Sequence, residues 1–183
     1  MAKAKGVRRE ILISEEITNE SVQKVIEKIL DINHSDKQLE EDYGDKYDRK
    51  PIMLFINSFG GSCYDGLALV DTILLSKTPV WTVAIGSAMS MGLWIFMSGE
   101  RRFVGRNATL MYHEAGYGVW GKIEEHKTEL PEMERLQSLY DNIIKSNTKV
   151  TQSMLDDYKT RKAEWYIAPC DAVELGFADQ LWK

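Results

Sequence analysis

The pattern of this chain predicts an α/β fold built on a largely parallel sheet, and three observations carry that prediction. Residues 52–56, "IMLFI", form a short uninterrupted apolar run, the mark of a strand buried on both faces. Such runs end twice in a glycine-bearing turn that leads into a helical pattern, as strand–helix crossover units do. A length of 183 residues, 44% hydrophobic and 28% charged, suits one domain over 1–183 with a single substantial core.

Taken in order, residues 9–18 read as a short strand and a turn. Asn19 is placed to cap a helix in which Val22, Val25, Ile26, Ile29 and Leu30 recur at helical spacing. The segment 33–50, "NHSDKQLEEDYGDKYDRK", is polar and dense in charge, and reads as a solvated surface loop, a polar insertion. After the 52–56 strand, the turn Asn57-Ser58-Phe59-Gly60-Gly61-Ser62 precedes a helix over about 64–75, with Leu67, Val70, Ile73 and Leu74 apolar. "TPVWTVAIG" (78–86) is the next strand, Ser87 lies in a turn, and a buried helix starts at Ser90. Residues 102–105 and 108–112 give two further short strands.

Beyond the glycine-rich "HEAGYGVWGK", a long charged helix is predicted over about 123–147, with Pro131 expected to kink or restart it. Its apolar positions Leu130, Met133, Leu136, Leu139, Tyr140, Ile143 and Ile144 form a stripe that requires a partner surface. Thr151 caps a short helix through Tyr158, and 171–175 is one more helical turn.

Composition narrows the function. A net charge of -5 without a basic stripe argues against a nucleic-acid partner. The run 80–97 is long enough to cross a membrane, but Thr82, Gly86, Ser87, Ser90 and Gly92 interrupt it, so it reads as strand, turn and helix. No membrane partner is expected. Cys63 and Cys170 sit in unrelated contexts, without a CxxC pair or zinc-like histidine spacing, and the first ten residues carry no apolar leader. A reducing cytoplasm is therefore the expected location, with no metal. The Gly60-Gly61 turn lacks the Gly-Lys-Ser/Thr ending of a phosphate-binding loop, so neither nucleotide nor other cofactor is expected.

What remains is the hydroxyl chemistry. Ser90 lies in the apolar stretch 83–99, where a hydroxyl without a partner costs about 1–3 kcal/mol. At the tip of a strand-to-helix turn, however, a serine hydroxyl is presented and the neighbouring backbone N–H groups are unpaired. These are the parts of an acyl-transfer site, nucleophile and oxyanion donors. The surroundings are not Gly-x-Ser-x-Gly, so the α/β-hydrolase elbow does not fit. A serine nucleophile needs a base. Of the three histidines, His34 falls in the polar segment and His126 on the charged helix, both solvated by expectation. His113 ends the apolar strand "ATLMYH" and is the candidate.

Four blocks now carry a resemblance: "INSFGGSCYDGLALVDTI" (56–73), "AIGSAMSMG" (84–92), "LMYHEAGYG" (110–118) and "APCDAVELGFAD" (168–179). Their order and spacing resemble the Clp protease proteolytic subunit over roughly residues 9–183. The resemblance implies a crotonase-type α/β fold with a projecting handle helix, here 123–147, whose stripe would meet its copy from the opposite ring. It implies a serine endopeptidase with Ser-His-Asp logic. Ser90 would be the nucleophile and His113 the base, with the Gly61 and Met91 amides as the oxyanion hole. It further implies heptameric rings, stacked as a tetradecamer, fed with unfolded protein by an ATP-driven AAA+ unfoldase.

The third triad member departs from the family's aspartate. Alignment on "DAVELG" without gaps puts Glu164 there, whereas one inserted residue would put Ala163 there. Asp156 and Asp157 are runners-up, and Asp171 matches a non-catalytic position that caps the following helix. Phe59 stands where the family has proline. The polar insertion would fall on the ring's outer or apical side, and only about eight residues precede the first strand, where the family carries its axial gate. Two other readings compete: a catalytically weak or inactive ring scaffold, and an acyl-CoA enzyme of the crotonase type.

Overall fold

The structure, a computed structural model, describes residues 8–116, 118 and 122–183, without the side chains of 123, 125 and 126. The expectations for the axial-gate segment at residues 1–7 and for the His126 side chain lie outside the described residues.

Among the described residues, seven strands form one sheet. Strands β1 (Glu10–Ile13), β2 (Ile52–Ser58), β3 (Val80–Met89), β4 (Arg101–Val104) and β7 (Gln180–Leu181) run side by side, each pair parallel. Strand β5 (Thr109–Tyr112) pairs in parallel with the far end of β3, and β6 (Trp165–Ile167) pairs antiparallel with β5. The α/β prediction with a largely parallel sheet therefore holds. The short β6 and β7 have too few residues to show a period, and the sequence pattern did not reveal them.

The branch point is β3. Its first half, Trp81–Ala84, pairs with β4, and its second half, Ser87–Met89, with β5. Between them Gly86 takes φ +71°, and a Cβ there would lie 2.5 Å from Asn57 Oδ1. The strand thus bends at a glycine and continues to Met89, three residues beyond the predicted end. Ser87 belongs to the strand and not to a turn. Its amide and hydroxyl both donate to Asn57 Oδ1, at 3.2 and 3.1 Å, which satisfies a buried polar side chain.

Helix α1 (Asn19–Tyr43) overturns the expected loop over 33–43, while 47–50 are irregular as expected. Its cap is Thr18 rather than Asn19, in a capping box with Ser21. The buried face runs Val22, Val25, Ile29, Ile32 and then Asp36, a spacing that never leaves the helical period. The helix was hidden because its last inward position holds a carboxylate, and an apolar pattern cannot register that. Asp36 is fully buried and accepts hydrogen bonds from Arg9, Tyr47 and Thr78. Burial opposes its ionisation, but the bonds from Arg9, Thr78 and Tyr47 outweigh burial and bring its pKa down to about 2. Arg49 grips Glu40 at 2.5 Å, and Asn33 Oδ1 accepts the Lys77 and Thr78 amides, so the segment packs on the body. His34 is exposed on this helix, beside Gln38.

Helices α2 (Cys63–Leu75) and α3 (Met91–Met97) follow the two glycine-bearing turns. Helix α4 (Ile123–Asn147) has the predicted span and runs on through Pro131 without restarting. The missing N–H strands only one carbonyl, on the exposed part of the helix, where water can reach it. The stripe divides. Leu136, Tyr140 and Ile144 are buried in the chain's own core, whereas Leu130 and Leu139 remain 46% and 39% exposed. Much of the partner surface that the stripe required is therefore intramolecular. Helix α5 (Gln152–Thr160) is capped by Thr151 as expected. In α6 (Pro169–Leu175) the capping position is Ala168, and Asp171 lies in the first turn instead. No helix among the described residues is long and apolar enough to cross a membrane, and β3 and α3 account for the 80–97 run.

Candidate active site

Ser90 stands between the end of β3 and the start of α3, in the N-cap position, with φ +52° and ψ -123°. A serine in that conformation costs about 1–3 kcal/mol and persists only where its neighbours hold it. The Ser90 amide donates to the Met111 carbonyl at 3.0 Å, which ties this turn to β5, the strand that delivers His113. Its carbonyl accepts the Leu93 and Trp94 amides at 3.0 and 3.2 Å, starting α3. Met91 is the first residue of that helix, so its N–H has no acceptor four residues back.

The second turn is packed against the first through glycine. Gly60 has φ +106°, and a Cβ on it would lie 2.7 Å from Ser90 Cβ and 2.9 Å from the Met89 carbonyl. Around Gly61 the neighbouring amides are engaged, Gly60 N with Ser58 Oγ and Ser62 N with the Ile17 carbonyl. The Gly61 amide has no acceptor among the described residues. Phe59, in the place of the family's proline, is 79% exposed.

These pieces surround a cavity of about 230 Å³ lined by Gly61, Cys63, Ser90, Met91, His113 and Tyr140, among others. The structure thus gathers four of the five sequence-derived candidates, Gly61, Ser90, Met91 and His113, at one place. Ser90 and His113 are half-buried and open to it. Burial pushes the Cys63 thiol up, which keeps it protonated at neutral pH.

Glu164 is not among the residues lining this cavity. It precedes β6, and the Tyr112–Trp165 pairing, carried one step further, sets Glu164 opposite His113. Its carboxylate is exposed and accepts a hydrogen bond from Tyr166. Among the described residues no hydrogen bond joins Ser90 to His113 or His113 to Glu164. The runners-up are occupied on α5: Asp156 pairs with Lys159 at 2.8 Å and Asp157 with Arg161 at 2.6 Å. No group of His, Cys, Asp and Glu among the described residues could hold a metal ion. Sequence reasoning missed Asn57, Gly60, Gln137 and Tyr140 as supports of the site. Of these only Gly60 left a signal, as half of a Gly-Gly pair.

Comparison with known proteins identifies the family and the fold. The sequence model of the Clp protease family matches residues 6–183. The chain is 29% identical to the "ATP-dependent Clp protease proteolytic subunit 1" of Prochlorococcus marinus (strain MIT 9312) over 177 residues, 93% of this chain and 82% of the relative. It is 30% identical to the "ATP-dependent Clp protease proteolytic subunit" of Deinococcus radiodurans over 132 residues, 71% of this chain and 64% of that one. Among solved structures, a ClpP1 mutant from Listeria monocytogenes superposes with a TM-score of 0.80 at 22% identity, covering 96% of this chain and 92% of the other. At that identity the likeness is one of fold.

Proposed function

The chain belongs to the Clp protease family, and from that premise we propose that it is a serine endopeptidase, the proteolytic subunit of a self-compartmentalised protease. The carrying observation is the convergence of Ser90, His113, Gly61 and Met91 on one cavity. Ser90 Oγ attacks the peptide carbonyl carbon while His113 takes its proton. The Gly61 and Met91 amides hold the oxyanion. His113 then returns the proton to the leaving amine, and water resolves the acyl-enzyme by the same route. Glu164, one step beyond the Tyr112–Trp165 pair as His113 is on β5, is the residue to orient the imidazole by swinging off Tyr166. Hydrogen bonds of this kind commonly tighten only when substrate is bound.

The same reading makes this a cytoplasmic protein assembled in stacked heptameric rings, with the exposed Leu130 and Leu139 of α4 available to a second copy. An ATP-driven unfoldase would deliver unfolded chains. The test is hydrolysis of a fluorogenic peptide and labelling by a fluorophosphonate. Ser90→Ala is expected to abolish both, and Glu164→Ala to lower kcat by about 10²-fold or more. Full activity in Ser90→Ala refutes the mechanism. Activity lost with Ser90 but kept in Glu164→Ala retains the peptidase and moves the acid elsewhere. The engagement of Glu164 by Tyr166 favours a second reading, an inactive ring scaffold. An assembled wild type that neither labels nor cleaves would establish it.

A further inference from the structure

One face of α4 carries two side chains, three residues apart, that reach the two halves of the site. Tyr140 is buried and stacks on Trp94 at 5.1 Å. Its hydroxyl donates to the Ser90 carbonyl at 3.2 Å. That bond fixes the peptide group of the one site residue held at positive φ without being a glycine. Gln137 reaches the other half. Its Oε1 accepts the Ala115 amide at 2.7 Å, two residues beyond His113. Its Nε2 donates to Asp141 Oδ1 at 2.7 Å and to the Tyr112 hydroxyl at 3.1 Å, so the carboxamide is oriented from both ends.

Asp141 anchors this arrangement. It is buried, and it accepts from Tyr112 at 2.8 Å, from Lys159 at 2.8 Å and from Gln152 at 3.2 Å. Tyr112 precedes His113 and Ala115 follows it, so both sides of the histidine are tied to Gln137. Neither Gln137 nor Tyr140 has a proton to exchange in the reaction as derived above.

We propose that Tyr140 and Gln137 are positioning residues for the peptidase chemistry, Tyr140 acting through Ser90 and Gln137 through the segment carrying His113. The inference rests on the assignment of those two residues as nucleophile and base. Its physical basis is that small displacements of a nucleophile from its base cost rate steeply, even where binding is untouched.

Tyr140→Phe removes one oxygen, and Gln137→Leu removes the polar end at nearly constant volume. Ile144→Val is the control, since Ile144 is fully buried on the same helix and does not line the cavity. In the full chain, with assembly checked by sedimentation, kcat and KM are measured on a fluorogenic peptide alongside the fluorophosphonate labelling rate. Each positioning variant is expected to lower kcat and the labelling rate by about tenfold for the lost hydrogen bond, with KM within about twofold of wild type. Ile144→Val keeps the wild-type kcat. Wild-type kcat in both variants, a raised KM with unchanged kcat, or an equal loss in Ile144→Val overturns the inference alone. A wild-type protein that does not label overturns the underlying nucleophile assignment. Should Tyr140→Phe not fold, Gln137→Leu decides the matter by the same measurements.

Discussion

Replacing Asp36 by asparagine removes one negative charge from a buried carboxylate that accepts four hydrogen bonds. The wild-type carboxylate is fully buried and receives two bonds from Arg9, one from Tyr47 and one from Thr78. Asparagine keeps a single acceptor oxygen and turns an NH₂ group toward existing donors. The Arg9 guanidinium, 20% exposed, loses its counterion and retains the Lys50 carbonyl at 2.8 Å. Breaking a buried pair in this way costs about 3–5 kcal/mol, and the partial exposure of Arg9 favours the lower end.

The pH dependence provides the sharper test. The Asp36 pKa is about 2 in the folded chain against 3.8 for the free group. The folded value lies below the unfolded one, so this contribution is complete above about pH 5 and fades as pH falls through 4 toward 2. At 1.36 kcal/mol per pKa unit, the shift amounts to about 2 kcal/mol. Urea denaturation of wild type and Asp36→Asn at equal protein concentration, between pH 7 and pH 2.5, should therefore show a gap of about 3 kcal/mol that narrows on acidification by about 1–2 kcal/mol. A gap that stays constant over that range would refute the account of Asp36 as an ionised, buried anchor.

Two further outcomes follow from the geometry. Gly60→Ala places a methyl 2.7 Å from Ser90 Cβ and forces apart the turns that carry the proposed nucleophile and oxyanion amide. Its kcat/KM on a fluorogenic peptide should fall by about 10²-fold, and an active variant would show that the two turns are not registered through this contact. Lys162, just past α5, is held at φ +50°, so Lys162→Gly should raise stability by about 0.5–1 kcal/mol, seen as an upward shift in Tm.

Much of this was legible in the chain itself, because the residues concerned report on their own local structure. The β2 run, the α2 and α4 periods and the Thr151 cap are each fixed by neighbours within one or two turns. Ser90 and His113 were nameable because the chemistry needs a hydroxyl and an imidazole at strand ends, whereas Gly61 and Met91 came from the resemblance to the Clp protease family. The second half of α1 was not legible, since Asp36 occupies an inward position that Arg9, Tyr47 and Thr78, 11 to 42 residues away, make tolerable. Glu164 was reachable by alignment, but its bond to Tyr166 was not. Gln137 and Tyr140 read only as helix positions, because their roles depend on atoms 22 and 50 residues distant in sequence.

The sequence by itself determined which segments are strands and helices for the most part, and which side chains are candidates for acyl-transfer chemistry. Both follow from short-range periodicity and from residue type. The tertiary structure alone decided that β3 bends at Gly86 to serve two sheet halves, that Gly60 packs on Ser90, and that α4 bonds both the Ser90 turn and the segment after His113. Those are contacts between groups far apart along the chain, set by close packing and by the hydrogen bonding of buried polar groups.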